Sequence, residues 1–165
     1  MSDPHASIVP LALILTITAV KESMEDGQRH KQDKSTNNRM VSVLSGDTFI
    51  QKKWQEVVVG DICRIENSNY FPADLVLISS SEPDGLCYIE TANLDGETNL
   101  KIRQALKETS NILTPEDVAK MEGVIKCELP NNSLYTFEAT LRYQHKELPL
   151  NPDQLLLRVI LLVFK

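Results

Sequence analysis

Residues 87–106 read CYIETANLDGETNLKIRQAL, and Asp95-Gly96-Glu97-Thr98 at the centre packs two carboxylates and a hydroxyl around a glycine. Asp-Gly between hydrophobic stretches is, taken alone, a hairpin turn. Two details argue for more. Glu97 and Thr98 put an acid and a hydroxyl at the loop tip, and Lys101 and Arg103 follow, so the loop can meet an anion despite its own charge. Gly96 lacks a Cβ, which lets the backbone approach a bulky charged partner and aim N–H groups at it.

The chemistry this suits is attack of water on a phosphoryl group, with a carboxylate holding the water. Positioned acid–base catalysis contributes about 10² to 10⁴ in rate, which is about 3 to 5 kcal/mol of barrier. Glu97 would approach a phosphate dianion with like charge, so a cation must offset the repulsion. The chain has no GxxxxGK[ST] phosphate loop, and nothing else in it is expected to supply that cation. The motif reads as half of a site.

Outward from this stretch the pattern is β-rich. MVSVL and TFIQ flank Ser45, Gly46 and Asp47, a hairpin signal because glycine supplies the positive φ that tight turns demand. EVVVGDICRI places β-branched runs on either side of Gly60-Asp61, a turn or bulge between extended pieces. YFPADLVLISS puts Pro72 at the start of a strand, where its missing N–H does least harm. GLCYIETA is a short strand leading into the central motif. LTPEDVAKMEG predicts one short helix: Thr114 caps it, Pro115 occupies its first position, Asp117 lies three residues after the cap, and Gly123 closes the end. Strands resume with GVIKCEL and SLYTFEATLRY, joined through Pro130-Asn131-Asn132. Asn131 opens an Asn-Asn-Ser glycosylation pattern, which is discounted for a cytosolic loop.

The amino-terminal region differs. Ile8 to Val20 is thirteen residues without a charge, where a membrane-spanning helix needs about 20. No Lys or Arg precedes this run, so it does not read as a signal peptide. Arg29, His30, Lys31 and Lys34 beyond it favour a cytosolic side. A helix of a soluble domain and the inner end of a membrane helix both fit.

A chain of 165 residues with 42% hydrophobic residues fits one domain with a modest core. A net charge of −6 argues against nucleic acid as a partner. Cys63, Cys87 and Cys127 form no CxxC and read as reduced, buried thiols of a cytosolic compartment. The histidines show no metal spacing, so no metal ligands are expected, and there is no GxSxG elbow.

Three stretches in order, VVVGDI, FPADLVLISSSEP and CYIETANLDGETNLKIRQAL, resemble the actuator domain of P-type ATPases, in particular the phospholipid-flipping subfamily. Asp95-Gly96-Glu97-Thr98 is similar to the flippase loop, whereas ion-pumping branches carry Thr at the first position. The resemblance implies a mainly β fold, a distorted jelly-roll-like actuator domain with an N-terminal membrane-proximal helix and one short helix in the second half. It implies three regions: 1–37, the cytosolic end of a membrane helix plus stalk; 38–158, an actuator domain incomplete at its C-terminus; and 159–165, a divergent apolar tail.

The implied mechanism is hydrolysis of an aspartyl phosphate carried by a separate phosphorylation domain, coupled to phospholipid translocation. Glu97 would be the catalytic residue, with Asp95, Gly96 and Thr98 shaping the loop. This chain would bind no cofactor; ATP and Mg2+ are implied for the complete pump. Implied partners are the pump's phosphorylation domain, membrane phospholipids as substrate and an accessory glycoprotein subunit. The implied location is a membrane, with this domain facing the cytosol.

The phosphorylated Asp-Lys-Thr-Gly-Thr segment and a nucleotide-binding domain are absent from the sequence, so the chain is expected to be a truncated fragment, inactive alone. Two other readings are a catalytically dead product that binds a full-length pump, and the actuator domain of a cation-transporting P-type ATPase. Asp95 in place of Thr speaks against the latter.

Overall fold

The computed structural model describes residues 4–129, 133, 136–157 and 160–162. Two compact units result: Met1–Met40 with Lys53–Gln55, and Val41–Lys52 with Glu56–Lys165. The first is dominated by helix α1, Pro4–Asn37. At 1.5 Å per residue it is about 50 Å long. Ile8, Leu11, Leu13, Ile14, Leu15, Ile17 and Val20 are all exposed, and successive residues turn by about 100°, so apolar side chains surround the cylinder instead of forming one stripe. Thr16 and Thr18 donate their hydroxyls back to the carbonyls of Ala12 (2.7 Å) and Ile14 (2.9 Å), hiding their polarity inside the helix. Among the described residues no helix is long and apolar enough to cross a membrane. In the same unit the Arg39 guanidinium lies 5.2 Å from the centre of the Trp54 ring.

The second unit is mainly β, as the sequence predicts. Strands β1 (Met40–Ser45), β2 (Thr48–Lys53) and β3 (Cys63–Arg64) form a sheet of order β2-β1-β3. The expected hairpin is present, with Gly46 at φ 61°. Extended structure before Gly60 is not. Asp61 donates its N–H to the Val58 carbonyl (3.1 Å), and its carboxylate accepts from the Val58 N–H (2.9 Å) and from Lys52 (2.7 Å). These local bonds consume the groups a strand would have paired and close a tight turn with Gly60 at φ 97°. Lys52 accounts for most of the lowering of the Asp61 pKa, against a smaller opposing effect of burial.

The core lies between a short pair and a longer sheet. Strand β4 (Leu75–Val76) pairs with β10 (Leu155–Leu156), and β5 (Leu86–Glu90) lies between β6 (Leu100–Gln104) and β11 (Ile160–Leu162). Phe71, Leu77, Cys87, Ile89, Ala105 and Leu156 form one buried cluster, with Phe71 and Ile89 wholly inaccessible. Cys87 and Ile89 point inward and Leu86, Tyr88 and Glu90 alternate with them, the period of a strand buried on one face. Burial pushes the Cys87 thiol up to about 11. Cys63 is half-buried and Cys127 is exposed, so the expectation of three buried thiols holds only for Cys87. Cys127 lies on an edge strand in which every residue is exposed.

That edge strand is β7 (Gly123–Cys127), which leads a sheet completed by β8 (Ala139–Tyr143) and β9 (Lys146–Leu150). β8 and β9 turn through Gln144 and His145, both at positive φ. The predicted short helix is α3, Pro115–Ala119, and Thr114 caps it by accepting the Asp117 N–H at 3.2 Å. It ends at Ala119, not at Gly123. Gly123 instead opens β7 opposite Tyr143. The glycosylation pattern at Asn131 lies outside the described residues, as does the Pro130-Asn131-Asn132 connection.

Candidate functional site

The register of β5 against β6 builds the site. Ile89 faces Lys101 and Cys87 faces Arg103 across the pair. Directly opposed residues share a face of the sheet, so the side of β6 that meets the core carries Lys101 and Arg103, both half-buried, while Leu100 and Ile102 point outward. The hydrophobic residues of β6 are on its outer face and its cations on its inner one.

Between Glu90 and Leu100 the chain makes a single helical turn, α2 (Ala92–Asp95). Leu94 and Asp95 return their N–H groups to the Thr91 carbonyl (2.8 and 3.1 Å), and Gly96 returns its own to Ala92 (3.0 Å). Gly96 then reverses the chain at φ 74°, ψ 3°. A Cβ there would meet nothing within 4 Å, so the glycine serves the left-handed backbone and not a close approach within this chain.

Asp95 is the hub of the loop. Its carboxylate shares the hydroxyl of Thr91 between its two oxygens (3.0 and 3.1 Å), accepts the Glu97 N–H (2.9 Å) and accepts from Lys101 Nζ at 2.6 Å. Thr91 is 2% exposed, which fixes the hydroxyl in place. Lys101 is the first cause, and the Glu97 N–H the second, of an Asp95 pKa lowered to about 2. Lys101 is raised in turn, by Asp95 first and then by Glu97. Its ammonium also reaches Glu97 Oε2 at 2.9 Å.

The two acids of the motif are thus unequal. The side chain of Asp95 is 11% exposed and saturated with donors; that of Glu97 is 50% exposed and pairs with Lys101. Of the two carboxylates, Glu97 is the one that solvent reaches. Thr98 is exposed and lies between Glu97 and the start of β6. Among the described residues no cluster of three His, Cys, Asp or Glu side chains could hold an ion.

Thr91 was not singled out in the sequence, and Lys101 was named there only as a cation, beside Arg103, through which the loop can meet an anion. Lys101 pairs with Glu97 inside the chain, a contact the sequence reading did not include. The signal was present in the spacing, since Lys101 stands four residues after Glu97 and alternates with apolar neighbours. Arg103 does not join the loop. Its Nε donates to the Leu155 carbonyl at 2.9 Å, tying β6 to β10.

A mainly β unit with an exposed Glu97 just after the Asp95-Gly96 turn agrees with the resemblance to a P-type ATPase actuator domain. The sequence matches that family over residues 35–123, and the chain belongs to it. It is 56% identical over 156 residues to a phospholipid-transporting ATPase of Schizosaccharomyces pombe, covering 93% of this chain and 12% of the relative. Identity to phospholipid-transporting ATPase ID of Homo sapiens is 51% over 152 residues, 92% of this chain and 13% of the relative. For phospholipid-transporting ATPase DRS2 of Saccharomyces cerevisiae it is 45% over 159 residues, 95% and 12%. The chain therefore spans about an eighth of the length of these relatives.

Proposed function

We propose that this chain is the actuator module of an ATP-driven phospholipid flippase, and that Glu97 positions the water that hydrolyses an aspartyl phosphate presented by the pump's phosphorylation domain. The water oxygen attacks phosphorus, its proton passes to the Glu97 carboxylate and on to solvent, and the bond from phosphorus to the aspartyl oxygen breaks. A free aspartate and inorganic phosphate result. Gly96 lets the backbone come close to the phosphoryl oxygens, Thr98 lies beside the acid, and Asp95 shapes the turn that carries both. Residues 1–37 serve as the cytosolic end of a membrane helix and its stalk, through which movement of the domain is coupled to phospholipid translocation. ATP and Mg2+ act in other domains of the complete pump. An accessory glycoprotein subunit is a further partner, and the domain faces the cytosol.

The observation that carries this reading is the contrast between the two acids: Asp95 is used up within the loop, whereas Glu97 is presented at its tip. Kinship with phospholipid-transporting ATPases supports the lipid substrate and disfavours a cation pump. The test replaces the matched segment of the Schizosaccharomyces pombe relative with this chain. Lipid transport by that chimera, together with loss of transport and accumulation of phosphoenzyme in its Glu97→Gln variant, is the expected result. Normal transport by the variant would refute the role of Glu97.

A further inference from the structure

We infer that Lys101 is a positioning residue and internal counter-cation for Glu97: anchored on Asp95, its ammonium fixes the Glu97 carboxylate and screens it from the phosphoryl dianion that it must approach. The inference rests on the function proposed above and adds a residue to the site.

The geometry is asymmetric in the way this role requires. Lys101 Nζ lies 2.6 Å from Asp95 Oδ2 and 2.9 Å from Glu97 Oε2. The Asp95 side chain is 11% exposed and that of Lys101 21%, against 50% for Glu97, so the Asp95–Lys101 pair is the more sheltered one. The Asp95 carboxylate is itself held by the Thr91 hydroxyl and the Glu97 N–H. The lysine stem has little choice of direction, because Lys101 is registered opposite the wholly buried Ile89. The chain Thr91, Asp95, Lys101 therefore ends in a cation whose place is set by the β-sheet. Glu97, half-exposed on a glycine hinge, takes its position from that cation. Two carboxylates against one ammonium leave the loop with a single net negative charge where Asp95 and Glu97 alone would give two. Repulsion of a dianion falls accordingly.

A lysine that only stabilised the fold would give the same contacts, so the test must separate the two roles. It uses the chimeric ATPase, with phosphoenzyme formed from labelled ATP and its decay followed after a chase. A misplacement of about 1 Å in a catalytic group can lower a rate by about 10²-fold. Lys101→Met is expected to slow decay by about that factor while leaving phosphoenzyme formation, which does not use the loop, unchanged. Because Lys101 acts through Glu97, the double variant Glu97→Gln, Lys101→Met should decay no more slowly than Glu97→Gln alone. Decay at the parental rate in Lys101→Met, or losses that multiply in the double variant, would overturn the inference.

Should Lys101→Met form no phosphoenzyme, Lys101→Arg and Lys101→Gln make the same comparison. The arginine variant should decay within about threefold of the parent and the glutamine variant about 10²-fold more slowly; equal rates for the two overturn it. A Glu97→Gln variant that decays normally instead removes the proposed function itself. Persistence in Glu97→Gln with normal decay in Lys101→Met removes only the role of Lys101.

Discussion

Gly85 and Gly96 both have left-handed backbones, at φ 67° and 74°, but their surroundings differ, and alanine at each position should have different consequences. A Cβ on Gly96 would meet nothing within 4 Å. Gly96→Ala then suffers only the conformational penalty, about 1 to 2 kcal/mol. A Cβ on Gly85 would lie 2.9 Å from the Cβ of Ala105 and 3.1 Å from that of Ser110. Neither atom can swing aside, since each is attached directly to its backbone, and Ala105 belongs to the buried cluster. The Gly85 carbonyl also accepts the Ala105 N–H at 2.9 Å, which holds the two strands together. Overpacking adds about 1 to 3 kcal/mol, so Gly85→Ala should lose about 2 to 5 kcal/mol in all. For a chain of this length 1 kcal/mol shifts the melting temperature by about 2 to 4 °C. Urea and thermal unfolding followed by circular dichroism should rank Gly85→Ala well below Gly96→Ala. Equal losses in the two variants would refute the claim that contact, and not backbone conformation alone, fixes Gly85.

Three further outcomes follow from named contacts. Ile89→Ala should destabilise by about 2 to 5 kcal/mol, whereas Ile102→Ala, whose side chain is exposed on the next strand, should stay within about 0.5 kcal/mol; similar unfolding midpoints for the two would contradict the β5–β6 register. Thr114→Ala removes the acceptor for the Asp117 N–H and should lower stability by about 1 kcal/mol, read as a shift in the urea midpoint. The Asp95 pKa is lowered from 3.8 to about 2 in the fold, so its ionised form stabilises the native state above about pH 4, and that contribution is lost as pH falls through 3.8 toward 2. Unfolding midpoints measured between pH 5 and about pH 2 should therefore fall more steeply for the parent than for Asp95→Asn, and parallel curves would show that Asp95 is not the loop's anchor.

Local chemistry was readable where one residue type has one use. The Ser45-Gly46-Asp47 hairpin and the start of α3 at Thr114-Pro115 are of that kind. The end of α3 was misplaced because Gly123 also satisfies a strand, and pairing with Tyr143 over long range decides the matter. β9 had no such signal: its turn uses Gln144 and His145 at positive φ, positions where glycine or asparagine usually announce a hairpin. The run before Gly60 has the β-branched composition of a strand, but the side chain of Asp61 claims the Val58 N–H, a competition invisible in propensity.

The motif itself was legible as a place where acids meet a glycine, yet not the division of labour within it. That division depends on which way β6 faces. Its apolar residues suggest Leu100 and Ile102 as the inner face, and only the register against Ile89 turns Lys101 inward to Asp95 and Glu97. Thr91 escaped notice for a similar reason, since its hydroxyl matters only once the α2 turn brings Asp95 back over it.

Decay of the aspartyl phosphate in a single turnover tests the central claim most directly. Phosphoenzyme is formed on the chimera with labelled ATP, chased with unlabelled ATP and quenched at intervals, for the parent and for Glu97→Gln. Loss of the water-positioning carboxylate should slow the decay by about 10² to 10⁴-fold with formation unaltered. Superimposable decay curves would mean that Glu97 does not touch the reaction.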